Sequence, residues 1–161
     1  MKRVAVFGLG RFGISIARHL AANNVEVLAI DRNRKLVEEV ADQVAMAISC
    51  DATDRVALTA YDLGKMDAVV VAIGSNFESS VLATMQCSEM GVTHIVAKAL
   101  NERQAKVLTE VGADRIVMPE EEMGLRLAEH LLHESVVDFV ELPMGFSLRR
   151  LTVPGTGGWW M

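Results

Sequence analysis

The chain of 161 residues carries 16 Lys and Arg against 21 Asp and Glu, a net charge of −5, with 51% hydrophobic and 5% aromatic residues. A chain of that length buries one real core and leaves no room behind it for a second catalytic domain of about 100 residues. The acidic balance argues against a nucleic-acid partner, because such binding draws on clustered Lys and Arg, and the densest basic run is only Arg32, Arg34 and Lys35.

The chain opens Met1-Lys2-Arg3 and passes directly into Val4-Ala5-Val6-Phe7-Gly8, too soon glycine-rich for a secretory signal. The longest apolar run, Ala68 to Ile73, has six residues, and about 20 are needed to cross a bilayer. A cytoplasmic location is the expectation. Cys50 and Cys87 stand 37 positions apart in apolar stretches with no CxxC pair, so they read as reduced core residues rather than a disulfide or zinc ligands.

Taken in order, the apolar bursts Val4–Phe7, Val25–Ile30, Val44–Ile48, Ala68–Ile73, His94–Ala97 and Arg115–Met118 predict six buried parallel strands. Between them apolar residues recur at helical spacing: Ile14, Ala17, Leu20 and Ala21; Leu36, Val37, Val40 and Ala41; Val81, Leu82 and Met85; Ala105, Val107 and Leu108. Ser75 with Glu78 and Asn101 with Gln104 have the spacing of capping boxes at two helix starts. The alternation predicts an α/β fold, a Rossmann-like doubly wound parallel sheet whose ligand crevice opens beyond the first and fourth strands.

A further helix begins at Pro119, with Glu120, Glu121 and Glu122 suited to the positive end of its dipole. Met123, Leu127 and Leu131 make one stripe, and Leu125, Ala128 and Leu132 widen the apolar arc to about 200°, more than packing on one surface requires. A second surface, such as another subunit, is implied. Residues 136–142 and 147–153 read as two short strands around a turn, and Gly155 to Met161 has linker composition. The expected divisions are a nucleotide-binding domain over 1–118, a dimerisation helix over 119–135 and the start of a further subdomain over 136–161.

Gly8-Leu9-Gly10-Arg11-Phe12-Gly13 follows the first strand and opens the first helix, the context in which GxGxxG has physical meaning. Gly8 permits the turn, Gly10 admits a pyrophosphate, Gly13 lets helix and sheet pack, and the helix start offers amides. Asp31, 18 positions after Gly13, can accept from ribose hydroxyls and would repel a 2′-phosphate, although Arg32 is adjacent. Arg11 either forks onto phosphate or is solvated. Asp51 either meets the adenine amino group, or its loop, with Thr53, caps the next helix. Gly74-Ser75-Asn76 is placed both to touch the phosphates or second sugar and to cap a helix. Lys98 either attracts a terminal phosphate or is solvated, and an acid such as Glu120 in a first helical turn needs no function. His130 and His133 lack a third metal ligand. No Walker lysine follows the glycines, and no nucleophile and base have a suggestive spacing, so the chain reads as a binding module rather than an enzyme.

Together with the glycine motif, Asp31, Asp51-Ala52-Thr53-Asp54, Ala72-Ile73-Gly74, Ala97-Lys98-Ala99 and the run from Gly112 to Glu120 make the chain resemble the RCK/KTN domains (KtrA/TrkA N-terminal type) over about residues 1–135. These are cytosolic regulators of bacterial Trk/Ktr potassium transporters. The resemblance implies a homodimer assembling to an octameric ring on a membrane potassium-translocating subunit, with ATP, ADP, NAD and NADH competing for one site. It implies a binding set of Gly8, Gly10, Arg11, Phe12, Gly13, Asp31, Arg32, Asp51, Ala52, Thr53, Ile73, Gly74 and Lys98, with Lys98 and Arg11 on a γ-phosphate. Glu120 would help hold a divalent cation, Mg or Ca, between subunits. Cys50 departs from the glycine common before Asp-Ala-Thr, which bears on the Asp51 contact. The alternative class is an NAD(H)-binding redox sensor or oxidoreductase fragment, which would share every glycine and Asp31.

Overall fold

The computed structural model describes residues 2–133 and the backbone of two further strands at 136–141 and 147–151. The chain separates into two units, Met1–Met118 and Pro119–Met161. The first contains β1 (Arg3–Phe7), α1 (Arg11–Ala22), β2 (Glu26–Asp31), α2 (Arg34–Val40), β3 (Met46–Ser49), α3 (Arg55–Leu58), β4 (Ala68–Val71), α4 (Phe77–Glu89), β5 (Ile95–Lys98), α5 (Glu102–Glu110) and β6 (Arg115–Val117). All six expected strands form, in the order β3-β2-β1-β4-β5-β6 and parallel throughout.

Alternation along each strand builds the two layers. Val4, Val6, Val27, Ala29 and Val70 face one side, where they pack with Ala17 of α1 and Val37 and Val40 of α2. Their neighbours Ala5, Phe7, Leu28, Ile30, Val69 and Val71 face the other, against Leu58, Ala83, Cys87 and Leu108 of α3, α4 and α5. A sheet covered on both faces needs apolar residues at every strand position, which is why these segments read as continuous runs rather than alternating ones.

Helix starts follow local chemistry, with one correction. Asn101 accepts from the Gln104 amide at 2.9 Å, while the Gln104 side chain accepts from Leu100 N at 3.0 Å, close to the expected reciprocal box. The Ser75–Glu78 box does not form. The backbone is still extended at Asn76 (φ −150°, ψ 109°), so Asn76 caps α4 by accepting from Ser79 N at 3.2 Å. Four-residue α3, the helix expected after the Asp51 loop, is too short to show periodicity, and its cap is Asp54, which accepts from Ala57 N.

Asp67, just before β4, accepts from the amides of Lys2 and Arg3 at 2.8 and 2.9 Å, tying the start of β1 to its neighbour. Those two bonds lower its pKa from 3.8. A carboxylate lowered by folding stabilises the fold above its unfolded pKa and loses that contribution as pH falls through the folded value. Asp67→Asn is therefore expected to flatten the acid limb of the stability curve below about pH 4 in urea unfolding. An unchanged limb would show that these bonds do not couple to folding.

The second unit contains α6 (Pro119–Leu132) and an antiparallel pair, β7 (Val136–Glu141) and β8 (Ser147–Leu151), where two strands were expected. The tail from Gly155, read as linker, lies outside the described residues. On α6 no residue is buried, and Met123, Leu125, Leu127, Leu131 and Leu132 are each 57–74% exposed. Among the described residues no helix is long and apolar enough to cross a membrane.

Candidate functional site

Strand order reverses between β1 and β4. The chain leaves β1 toward α1 on one face and β4 toward α4 on the other, so the two connections diverge and open a crevice at the carboxyl ends. A cavity of about 440 Å³ lies there, bordered by the glycine loop, the end of β2, the loop after β3, residues 72–76 after β4, and Lys98.

The three motif glycines serve different ends. Gly8 has φ +96°, and a Cβ on it would lie 2.6 Å from the Ala72 carbonyl oxygen. A Cβ on Gly13 would collide with the carbonyl of Gly8. Both are demanded by the fold itself. Gly10 has ordinary φ −68°, and a Cβ there would meet nothing within 4 Å. Its missing side chain leaves the cavity wall open, which is what a phosphate approaching the backbone requires. Gly10 is also the N-cap of α1 and offers no side-chain cap; the first intrahelical bond runs from Ile14 N to its carbonyl at 2.9 Å. The amides of residues 11–13 precede that bond, and with the helix dipole they suit an anion.

Asp31 ends β2 and does more than line the cavity. Its Oδ2 accepts from Leu9 N and its Oδ1 from Asn33 N, both at 2.7 Å. One carboxylate thus fastens the glycine loop and the turn into α2, and an oxygen accepting one such bond retains a lone pair for a hydroxyl. Asp51 is similarly engaged: Oδ1 accepts from the amide and hydroxyl of Thr53 at 2.8 and 2.7 Å. Those bonds, with Arg32 adding a smaller effect, hold its carboxyl below the usual 3.8, so it faces the cavity as an anion. Helix capping falls to Asp54 instead.

Of the residues expected at the site, Gly8, Gly10, Arg11, Phe12, Asp31, Arg32, Asp51, Ala52, Ile73, Gly74 and Lys98 line the cavity. Gly13 packs behind Gly8, and Thr53 is turned onto Asp51, with its carbonyl accepting from the Gln86 side chain at 2.7 Å. Cys50 is half-buried, packing against the core and also lining the cavity; burial, then Asp54 and Asp51, push its thiol pKa up. Cys87 is fully buried, and burial raises it to about 12. Ile30, Asn33, Leu36 and Ser79 also line the cavity and were not anticipated. The apolar spacing that placed Leu36 in the core carries no sign of its open side, whereas Asn33, directly before a helix, was detectable as its cap. Beyond Lys98 a lobe of about 240 Å³ continues, sharing Ile73, Gly74, Ser75 and Lys98 with the first cavity. Among the described residues no group of three or more His, Cys, Asp or Glu could hold a metal, so Glu120 has no ready-made set around it.

The sheet order, the strand–glycine turn–helix unit and the carboxylate closing β2 define a Rossmann-type α/β domain. More specifically, the chain belongs to the TrkA-N domain family, whose model matches residues 4–119. It is 42% identical over 147 residues to the Ktr system potassium uptake protein C of Bacillus subtilis, covering 91% of this chain and 66% of that protein. It is 38% identical over 152 residues to the Ktr system potassium uptake protein A of Vibrio alginolyticus, covering 94% and 69%. The chain spans about two thirds of the length of these relatives. Among solved structures, the Shewanella denitrificans Kef CTD in AMP-bound form matches with TM-score 0.68 over 83% of this chain and 84% of that one. At 21% identity that likeness is one of fold.

Proposed function

We propose that this chain is the nucleotide-sensing domain of a regulatory subunit in a potassium uptake system, a binding module rather than an enzyme. Adenine nucleotides, ATP or ADP and NAD or NADH, occupy the crevice, with phosphates on the start of α1 and Arg11, ribose on Asp31, and the adenine beside Asp51. The observation that carries this reading is Gly10: neither its φ nor any neighbour in the fold calls for glycine, while a phosphate at that wall does. Similarity to the two potassium uptake proteins supports the transport role, and the AMP-bound neighbour supports the ligand class.

The exposed apolar residues of α6 support a second copy of the chain as partner, since they occupy more of the helix circumference than one contact would bury. Dimers then assemble to a ring, an octamer, on the inner face of the membrane against the potassium-translocating subunit. Ligands that bind two ring geometries unequally shift their populations and so pass the signal on. Glu120 would meet a divalent cation only together with nucleotide phosphates and a neighbouring copy. The lobe beyond Lys98 favours a second reading, an NAD(H) redox sensor, because it offers a dinucleotide room for its other half.

Calorimetric titration with ATP, ADP, NAD and NADH, with and without Mg²⁺, followed by light scattering of each complex, tests the proposal. Binding of ATP and ADP with different assembly states is the expected outcome. Binding of NAD and NADH alone, with assembly indifferent to either, would move the assignment to the redox sensor.

A further inference from the structure

The loop after β3 carries Asp51 into the crevice, and its internal bonds fix its shape without fixing its depth. Asp54 N donates to the Asp51 carbonyl at 3.0 Å, and both Thr53 donors, amide and hydroxyl, converge on Asp51 Oδ1. On the entry side Cys50 N donates to the Asp31 carbonyl at 3.1 Å. On the exit side the ties come from α4. The Gln86 side chain donates from Nε2 to the Thr53 carbonyl at 2.7 Å, and Glu89 pairs with Arg55 at 2.8 Å. Gln86 and Glu89 are three residues apart and so share a face of the helix. The Arg55–Glu89 pair is about half exposed on both sides, and such pairs hold little. The Gln86 bond is part-buried, and the Gln86 Oε1 is buried with no donor among the described residues. An unpaired buried acceptor costs free energy that an apolar side chain of similar size would avoid, so packing alone does not call for glutamine there.

The helix is itself fixed to the crevice. The hydroxyl of Ser80, 2% exposed, donates to the Ile73 carbonyl at 2.9 Å, and Ile73 lines the cavity. One helix thus meets the floor after β4 and, about 9 Å further along its axis, the loop that carries Asp51. We propose that Gln86 is a positioning residue for base selectivity: by holding the Thr53 carbonyl it sets Asp51 at the depth where its carboxylate meets the adenine amino group. The proposal rests on reading the crevice as an adenine-nucleotide site. Thr53 occupies Oδ1, so Oδ2 is the oxygen left for the ligand. An ionised carboxylate only accepts, so it suits an amino group and repels the carbonyl oxygen that inosine carries at the same position. With the turn released from Gln86, the ligand itself must order it, and that cost falls on a base that uses Asp51.

ATP and ITP share ribose and triphosphate and differ at that one purine position, so their ratio isolates the effect. Calorimetric titration of both into the wild type, Gln86→Leu, Gln86→Met, Asp51→Ala and the Asp51→Ala, Gln86→Leu double variant tests it. The wild type is expected to prefer ATP at least about tenfold. Gln86→Leu and Gln86→Met should each lower that preference about threefold or more through ATP, with ITP changing less than about twofold. In the Asp51→Ala background Gln86→Leu should leave the ratio where it is. A wild type without preference, a ratio unchanged in Gln86→Leu, or one that still falls in the Asp51→Ala background would overturn the proposal and leave the nucleotide site standing. A wild type that binds neither nucleotide would overturn both. Should both Gln86 variants fail to fold, the Gln86 side-chain amide resonances of the labelled wild type decide. A shift with ATP and none with ITP supports the coupling, and the same response to both refutes it.

Discussion

Gly10→Ala is expected to weaken adenine-nucleotide binding strongly while leaving the fold close to its original stability, and Gly13→Ala, three residues on, to lose binding through damage to the fold. At Gly10 the backbone is in a region open to any residue, and a Cβ would stand in empty space. Alanine is a poorer N-cap than glycine, but it also restricts the unfolded chain, and the two effects leave a net change within about 1 kcal/mol. The methyl group would project into the crevice where a phosphate must approach the amides. Losing one or two charge-assisted bonds, each worth about 1.5–3 kcal/mol, weakens binding at least about tenfold. At Gly13 the methyl group would strike the Gly8 carbonyl, and the glycine turn has little room to yield, because the Gly8 amide donates to the Ile30 carbonyl at 2.8 Å and so fixes the turn on β2. Overpacking of that kind costs about 1–3 kcal/mol or more, so binding is lost through loss of the loop. Melting curves beside calorimetry separate the two variants. A Gly10→Ala protein that binds nucleotide normally would remove the main support for the crevice as a phosphate site.

This contrast marks where reading the sequence stops. Six strands, their parallel order and the crevice were legible because a doubly covered sheet leaves continuous apolar runs, and because the strand–glycine–helix sequence has few structural solutions. The division of labour among the glycines followed from the motif's place between strand and helix, but the atoms that enforce it did not: only the structure sets the Ala72 carbonyl against Gly8 and the Gly8 carbonyl against Gly13. Thr53 looked like a ligand residue on its loop, yet a short side chain two positions from a carboxylate finds that carboxylate first. Ser75 and Asn76 are both good caps, and what decides between them is the residue at which the chain leaving β4 turns helical. The tie from Gln86 to the Thr53 carbonyl joins positions 33 apart, a relation no local pattern encodes.

Asp31→Ala is expected to damage the apo protein as well as its binding, which sets it apart from a residue that only touches ribose. Its two oxygens accept from Leu9 N and Asn33 N, so alanine leaves both amides to find other partners. The site is part-buried and opens on the cavity, so water can replace some of that hydrogen bonding. The loss therefore falls toward the low end for two charge-assisted bonds, about 1–3 kcal/mol, and lowers the melting temperature by several degrees without ligand. Asp31→Asn keeps a single carbonyl acceptor and should fall between wild type and alanine in stability, while its amide presents donors where ribose hydroxyls need an acceptor. If Asp31→Ala melts with the wild type and fails only in nucleotide binding, the loop is held by its glycines and the carboxylate serves the ligand alone. If it melts early and still binds nucleotide at low temperature, the carboxylate serves the loop, and the ribose must be held by something else in the crevice.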